Sequence, residues 1–343
     1  MRTVIAAVTL ALLLTAAPAA ADDNPLSGHR IGVYQGSMDQ AWEPYVKATG
    51  ERKRLLAKIA LRPKAKWFGE WIPTRDIGAK VRSYIANATG GDADVLVSMT
   101  VYRMVPWQQE ACERLPTRRE RREYRRWIDR FAAATGRAHT AIVLQPDGPF
   151  ALCAPGGSRV PSRMIAYAAE RLAQQPNASV YIDVGASDWP KDDPRTAATI
   201  LERAGVEHAR GFALNATHYT STAENIRHGA AVVDELARRG IPGTHFVVST
   251  AENGRPFHFH EFKGSHPNNA KVCATKRERT CVTLGIPPTT AVAARKWGLP
   301  PTVRELAREH VDAYLWFGKP WLVRQTSPFS MKRALGMART TPY

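Results

Sequence analysis

Past its N-terminal segment the chain lacks any apolar run long enough to cross a bilayer, which excludes a membrane-spanning protein from the expected classes. It also lacks a glycine-rich phosphate loop, so nucleotide chemistry has no cradle. Metal-ligand spacing is missing too. The nearest approach, RPFHFHEFKGSH, offers His258, His260, Glu261 and His266, but so loose a pattern reads as incidental, and neither metal nor cofactor is expected. Cysteine is sparse, with Cys112, Cys153, Cys273 and Cys281 alone, an even number that permits three pairings. Acidic residues are outnumbered, 31 Asp and Glu against 48 Lys and Arg, for a formal charge of +17. That excess predicts attraction to anionic polymers or surfaces and is silent about fold.

What is present begins with MRTVIAAVTLALLLTAAPAAADD, which has a basic Arg2, an apolar stretch through Leu14 and small residues before Asp22. The pattern predicts a secretory signal peptide over residues 1–21, a mature chain from 22 to 343, and a secreted, extracellular product. Disulfides persist in that compartment, which suits the cysteines. The densest basic stretch is TRRERREYRRWIDR, Thr117 to Arg130. Its Tyr124, Trp127 and Ile128, with Phe131, fall at helical spacing, so the arginines form a solvated face and no nucleic-acid partner is expected.

Seven short apolar, β-branched runs recur: 65–71, 94–102, 140–146, 179–185, 209–215, 245–250 and 312–318. Continuous apolar runs of this kind mark parallel strands buried on both faces. Helix signals fill the gaps: a capping box at Thr117 and Glu120 with a stop at Gly136, a proline-bounded segment from Pro161 to Pro176, and a helix ending at Gly240. Regular alternation predicts a single α/β domain, a closed or nearly closed parallel barrel. In such a barrel the chemistry lies at the carboxyl ends of the strands. The residues there include Trp71, Tyr102, Asp147, Asp183, Ser187, Asp188, Asn215, Thr250, Asn253 and Lys319, and they offer aromatic platforms, amides and a carboxylic acid, the ingredients of a sugar site.

The segments VLQPD, YIDVGASDWP, GFALNATHYTSTAENIRHG, HFVVSTAENG, GIPPTT and DAYLWFGKP, in this order and at these separations, resemble the core motifs of glycoside hydrolase family 6, the secreted β-1,4-glucanases. The similarity runs from about Asn24 to Pro320. It implies a distorted seven-stranded β/α barrel and inverting hydrolysis of β-1,4-glucosidic bonds without a cofactor, the partner being a β-linked glucan or related polysaccharide. On this resemblance Asp147 is the general acid, and Asp183 matches the Asp of the Asp-Ala-Gly-His motif. Trp189 is a sugar-stacking platform, Asn215 and Lys319 match substrate contacts, and Trp67 and Tyr102 fall in the cleft. Cys112 and Cys153 match the family's first disulfide. Cys273 matches one half of the second, with Cys281 the remaining candidate partner.

The departures from the family pattern concern acids. Its Arg-Asp-Cys is Glu110-Ala111-Cys112 here, leaving Glu110 as a substitute carboxylate one residue away. The His of Asp-Ala-Gly-His is Ala186, an Asp is replaced by Ser249, and an Arg by Glu252. The acidic segment after Lys319-Pro320 is replaced by Trp321, Leu322, Val323 and Arg324. A general acid needs its pKa raised by burial or a neighbouring carboxylate, so the arrangement around Asp147 decides whether it is protonated. The departures define two further readings: a carbohydrate-binding protein without turnover, and a basic module holding anionic wall polymer.

Overall fold

A computed structural model describes residues 24–264 and 267–343. The expected signal peptide and His266 lie outside the described residues. Seven strands form one parallel sheet in sequential order: β1 (Lys66–Gly69), β2 (Val97–Tyr102), β3 (Thr140–Leu144), β4 (Ala178–Asp183), β5 (Gly211–Leu214), β6 (His245–Ser249) and β7 (Val311–Leu315). Each falls within or beside one of the apolar runs. The expected ends overshoot because the last residues of each run turn out of the ladder to build loops. The sheet curls into an open barrel. Its edges meet where the Ala65 N–H donates to the Trp316 carbonyl at 2.8 Å, without a ladder between β1 and β7.

Around it lie α1 (Trp42–Lys47), α2 (Gly50–Ala60), α3 (Ile77–Thr89), α4 (Arg118–Thr135), α5 (Val160–Ala173), α6 (Pro194–Arg203), α7 (Thr222–Arg238), α8 (Pro301–His310) and α9 (Met331–Thr340). The reciprocal capping box at Thr117 and Glu120 opens α4, and that helix buries Tyr124, Trp127, Ile128 and Phe131 while Arg118, Arg119, Arg122, Arg125, Arg126 and Arg130 face solvent. The arginines are thus the outer face of an amphipathic helix. A second capping box, Ser221 with Glu224, opens α7 beside the site.

Strand side chains alternate between two cores. Ile142 and Leu144 of β3 pack outward under the helices, whereas Ala141 and Val143 join Tyr181, Ala213, Val247, Ala313 and Leu315 inside the barrel. Small interior residues suit a narrow, filled barrel. Toward the amino end of the strands, Asp312 accepts from Tyr181 at 2.7 Å and from Arg210 at 2.9 and 3.1 Å, with His245 at 3.3 Å. A buried carboxylate with this many partners is a structural charge, and it leaves the opposite end of the barrel for chemistry.

Candidate active site

The site is built at the carboxyl ends of the strands. Past β3 the chain enters left-handed backbone at Gln145 (φ 52°) and again at Asp147 (φ 65°), on either side of Pro146. Non-glycine residues adopt this region rarely and at a cost, so the surroundings must hold them there. Trp107 Nε1 donates to the Pro146 carbonyl at 2.9 Å, and the Met104 N–H donates to Gln145 Oε1 at 3.2 Å. Gly148 is required because a Cβ there would lie 1.9 Å from the Asp183 carbonyl oxygen. The Cys112–Cys153 disulfide spans 41 positions and ties the turn before α4 to the turn that follows Asp147. The second bridge joins Cys273 to Cys281, so both cysteine pairs match the expectation.

Asp147 sits part-buried with Gln108 Nε2 3.4 Å from Oδ2 and Thr217 Oγ1 3.4 Å from Oδ1. Burial raises its pKa above the ordinary carboxylate range, against the opposing pull of Gln108, the charge of His218, Thr217 and Tyr102. Removal from water disfavours the anion more than these long contacts favour it. Asp183 lies beneath, fully buried, with Oδ1 accepting from the Gly148 and Gly185 N–H groups at 3.3 and 3.2 Å and Oδ2 without a hydrogen bond. Its pKa is pushed well up, first by burial and then by the charge of Asp147. Both carboxyls are thus shifted in the same direction, and only Asp147 is open to the cleft.

The other residues fall around this pair unevenly. Trp189 packs against Phe150 and stacks on His218, with centroids 5.5 Å apart and planes 18° off parallel. Trp67 and Tyr102 meet at 5.2 Å, and Lys319 Nζ lies 4.9 Å over the Trp67 ring. Trp67, Lys319, Lys66 and Asp39 line a small pocket of about 50 Å³. Burial, with Lys66 nearby, brings Lys319 down to about 7. Asn215 is fully buried and its amide is engaged internally: Nδ2 donates to the Ser249 carbonyl at 3.0 Å, and Oδ1 accepts from the Thr220 hydroxyl at 3.2 Å. It shapes the floor and presents nothing to a ligand. Glu110 is not brought to Asp147. Its side chain is 64% exposed and faces Arg114 at 3.9 Å, while Gln108 makes the contact with the acid. A short 3₁₀ turn, Gln108–Cys112, puts these two side chains on different sides.

Gln108, Thr217 and His218 escape sequence reasoning. Thr217 and His218 lie just beyond Asn215, in the loop after β5, inside the segment GFALNATHYTSTAENIRHG but with no role assigned to them there. His258 and Glu261 of the loose histidine segment are used locally, His258 Nε2 meeting Glu224 at 2.9 Å and Glu261 accepting from the His258 N–H.

A model of Glycosyl hydrolases family 6 matches residues 32–321. The chain belongs to this family. It is 32% identical over 263 residues to Endoglucanase 1 of Streptomyces halstedii, covering 74% of this chain and 79% of that protein. It is also 32% identical over 225 residues to Endoglucanase A of Cellulomonas fimi, which is 65% of this chain and 47% of the relative's length. Among solved structures, the endoglucanase Cel6 from Mycobacterium tuberculosis, in complex with a methyl-cellobiosyl-4-deoxy-4-thio-β-D-cellobioside, superposes with a TM-score of 0.73 at 26% identity, over 93% of this chain and 99% of that one. Membership supports a glycoside hydrolase of the glucanase type, and the curled seven-stranded barrel agrees with it.

Proposed function

We propose that this family 6 protein is a secreted hydrolase of β-1,4-linked glucan that works with inversion and uses Asp147 as its general acid. One observation carries the reading: a carboxyl held in left-handed backbone at the end of β3 and open to the cleft, its pKa pushed upward by burial. In the step this implies, the Asp147 proton goes to the glycosidic oxygen as the C1–O bond breaks. A water attacks C1 from the opposite face, forms the new C1–O bond and loses a proton to the surrounding solvent. Asp183 acts below the acid, where burial and the charge of Asp147 both push its pKa upward and the Gly148 and Gly185 N–H groups fix its position. Trp189 on one side and Trp67 with Lys319 on the other serve as platforms for successive sugar units, aromatic faces being suited to the apolar face of a pyranose.

Secretion rests on the N-terminal signal pattern, together with the lack of a helix long and apolar enough to span a membrane among the described residues. A second reading, binding without turnover, is favoured by the replacement of the family's acidic positions by Ser249 and the Trp321–Arg324 segment. The two separate on one experiment. Mature protein and its Asp147→Ala variant are incubated with soluble β-1,4-glucan and new reducing ends are counted. Hydrolysis predicts a loss of about 10²- to 10⁴-fold on substitution. Equal traces from both proteins, with oligosaccharide binding retained, would establish the binding reading instead.

A further inference from the structure

We propose that His218, clamped by Asp188 against Trp189, is a substrate-binding residue on the leaving-group side of the cleft, where it hydrogen-bonds a hydroxyl of the departing sugar. The inference rests on the assignment of Asp147 as the acid.

The imidazole is fixed from three directions. Its Nδ1 lies 2.8 Å from Asp188 Oδ1, and the side chains of the pair are only 9% and 6% exposed. The second oxygen of Asp188 accepts from the Phe259 N–H at 3.0 Å, so the carboxylate cannot swing away. The ring is sandwiched between Trp189 and Phe259, with centroids 5.5 and 4.6 Å away and planes 18° and 24° off parallel. An imidazole held this way presents one remaining polar edge. Nε2 has no hydrogen bond among the described residues, nor is it among the buried atoms that lack one.

The direction of that edge follows from its neighbours. Thr217, the preceding residue, meets Asp147 Oδ1, and the charge of His218 bears on the Asp147 carboxyl. A group that flanks the acid on the side of a sugar platform faces the sugar whose oxygen the acid protonates. The carboxylate of Asp188 fixes which ring nitrogen points to the ligand, as orienting carboxylates do for histidines in general. Burial works to raise the pKa of Asp188, but the hydrogen bond and charge of His218 outweigh it, and the net shift is downward. The charged groups facing the pair are Asp147 and, across Asp188, His258 with its partner Glu224.

The test compares His218→Ala and His218→Gln with wild type on two substrates. Cellotetraose has a sugar as its leaving group; an aryl cellobioside has p-nitrophenol, whose single hydroxyl oxygen is that of the broken bond and which offers no sugar hydroxyl for His218 to hold. Loss of one hydrogen bond to a sugar lowers kcat/KM for cellotetraose about 10-fold or more relative to the aryl substrate, with partial recovery in His218→Gln. An unchanged ratio between the substrates overturns the assignment; so does a selective loss with cellotriose affinity unchanged, because p-nitrophenolate departs with little help from an acid and a ring that merely supports Asp147 would also spare the aryl substrate. Calorimetric titration with cellotriose supplies a second readout that needs no turnover: the affinity of His218→Ala falls by about the same factor. If wild type hydrolyses neither substrate, the hydrolase reading fails while this titration still decides the binding site. Equal affinity in wild type and variant overturns it.

Discussion

The two halves of the strand-end face differ in what they do with carboxylic acids. On the β3–β5 half, Asp147 is open to the cleft, Asp183 is anchored by two backbone N–H groups below it, and Asp188 is locked to His218. A disulfide and a left-handed turn hold this half in place. On the β6–β7 half, the carboxylate is Glu252, which is 1% exposed with neither oxygen hydrogen-bonded, wedged so close to Gly318 that a Cβ there would lie 2.5 Å from Oε1. Burial drives its pKa well up, with Arg333 the only opposing charge. Acids on the first half are open to the cleft or held by named partners, whereas Glu252 is buried without a hydrogen bond. The proposed acid function therefore belongs to one side of the cleft.

Removing the staples shows how much each half depends on them. By loop-closure entropy, replacing Cys112 and Cys153 with serine costs about 4 kcal/mol, and replacing Cys273 and Cys281 about 2.5 kcal/mol, because the loops differ in length (separations of 41 and 8). Urea unfolding measures both. Activity falls disproportionately with the first pair, since it flanks Asp147; equal activity loss from both pairs would break the contrast between the halves.

Glu252→Met sharpens it from the other side. An acid whose folded pKa exceeds its unfolded value stabilises fully below the unfolded pKa, near 4.5, and loses that contribution as pH rises toward the folded pKa. The substitution removes this decline. The variant is expected to gain on wild type as pH rises from 4 to 8, by up to about 1.4 kcal/mol for each pH unit between the unfolded and folded pKa, as seen in thermal or urea unfolding at both pH values. A parallel offset at the two pH values would contradict the raised pKa of Glu252. The smallest effect belongs to Glu110→Ala. An exposed carboxylate at a loose ion pair changes hydrolysis less than about twofold, and a large drop would return Glu110 to the acid's partnership.

The barrel was legible because its strands are built from unbroken apolar runs, such as SVYID in β4, whose burial on both faces leaves a plain trace. The position of Asp147 was legible as well, since Pro-Asp-Gly after such a run marks a strand end. The side chains that tune the acid were not. Gln108 reaches Asp147 only through the turn that sends Glu110 outward, and His218 becomes a partner of Asp188 only when two loops 30 positions apart close over Trp189. Asn215 illustrates the reverse case: its position matches a substrate contact, but its amide is consumed by Ser249 and Thr220. Composition and spacing reveal which elements form; which atoms remain free is settled by packing between distant segments.

The central claim is that Asp147 performs inverting acid catalysis. Proton NMR of cello-oligosaccharide hydrolysis, followed before the product anomers equilibrate, tests it most directly. The account predicts that wild type releases the α-anomer first and that Asp147→Ala releases none on the same timescale. First appearance of the β-anomer, or equal release by the variant, would contradict it.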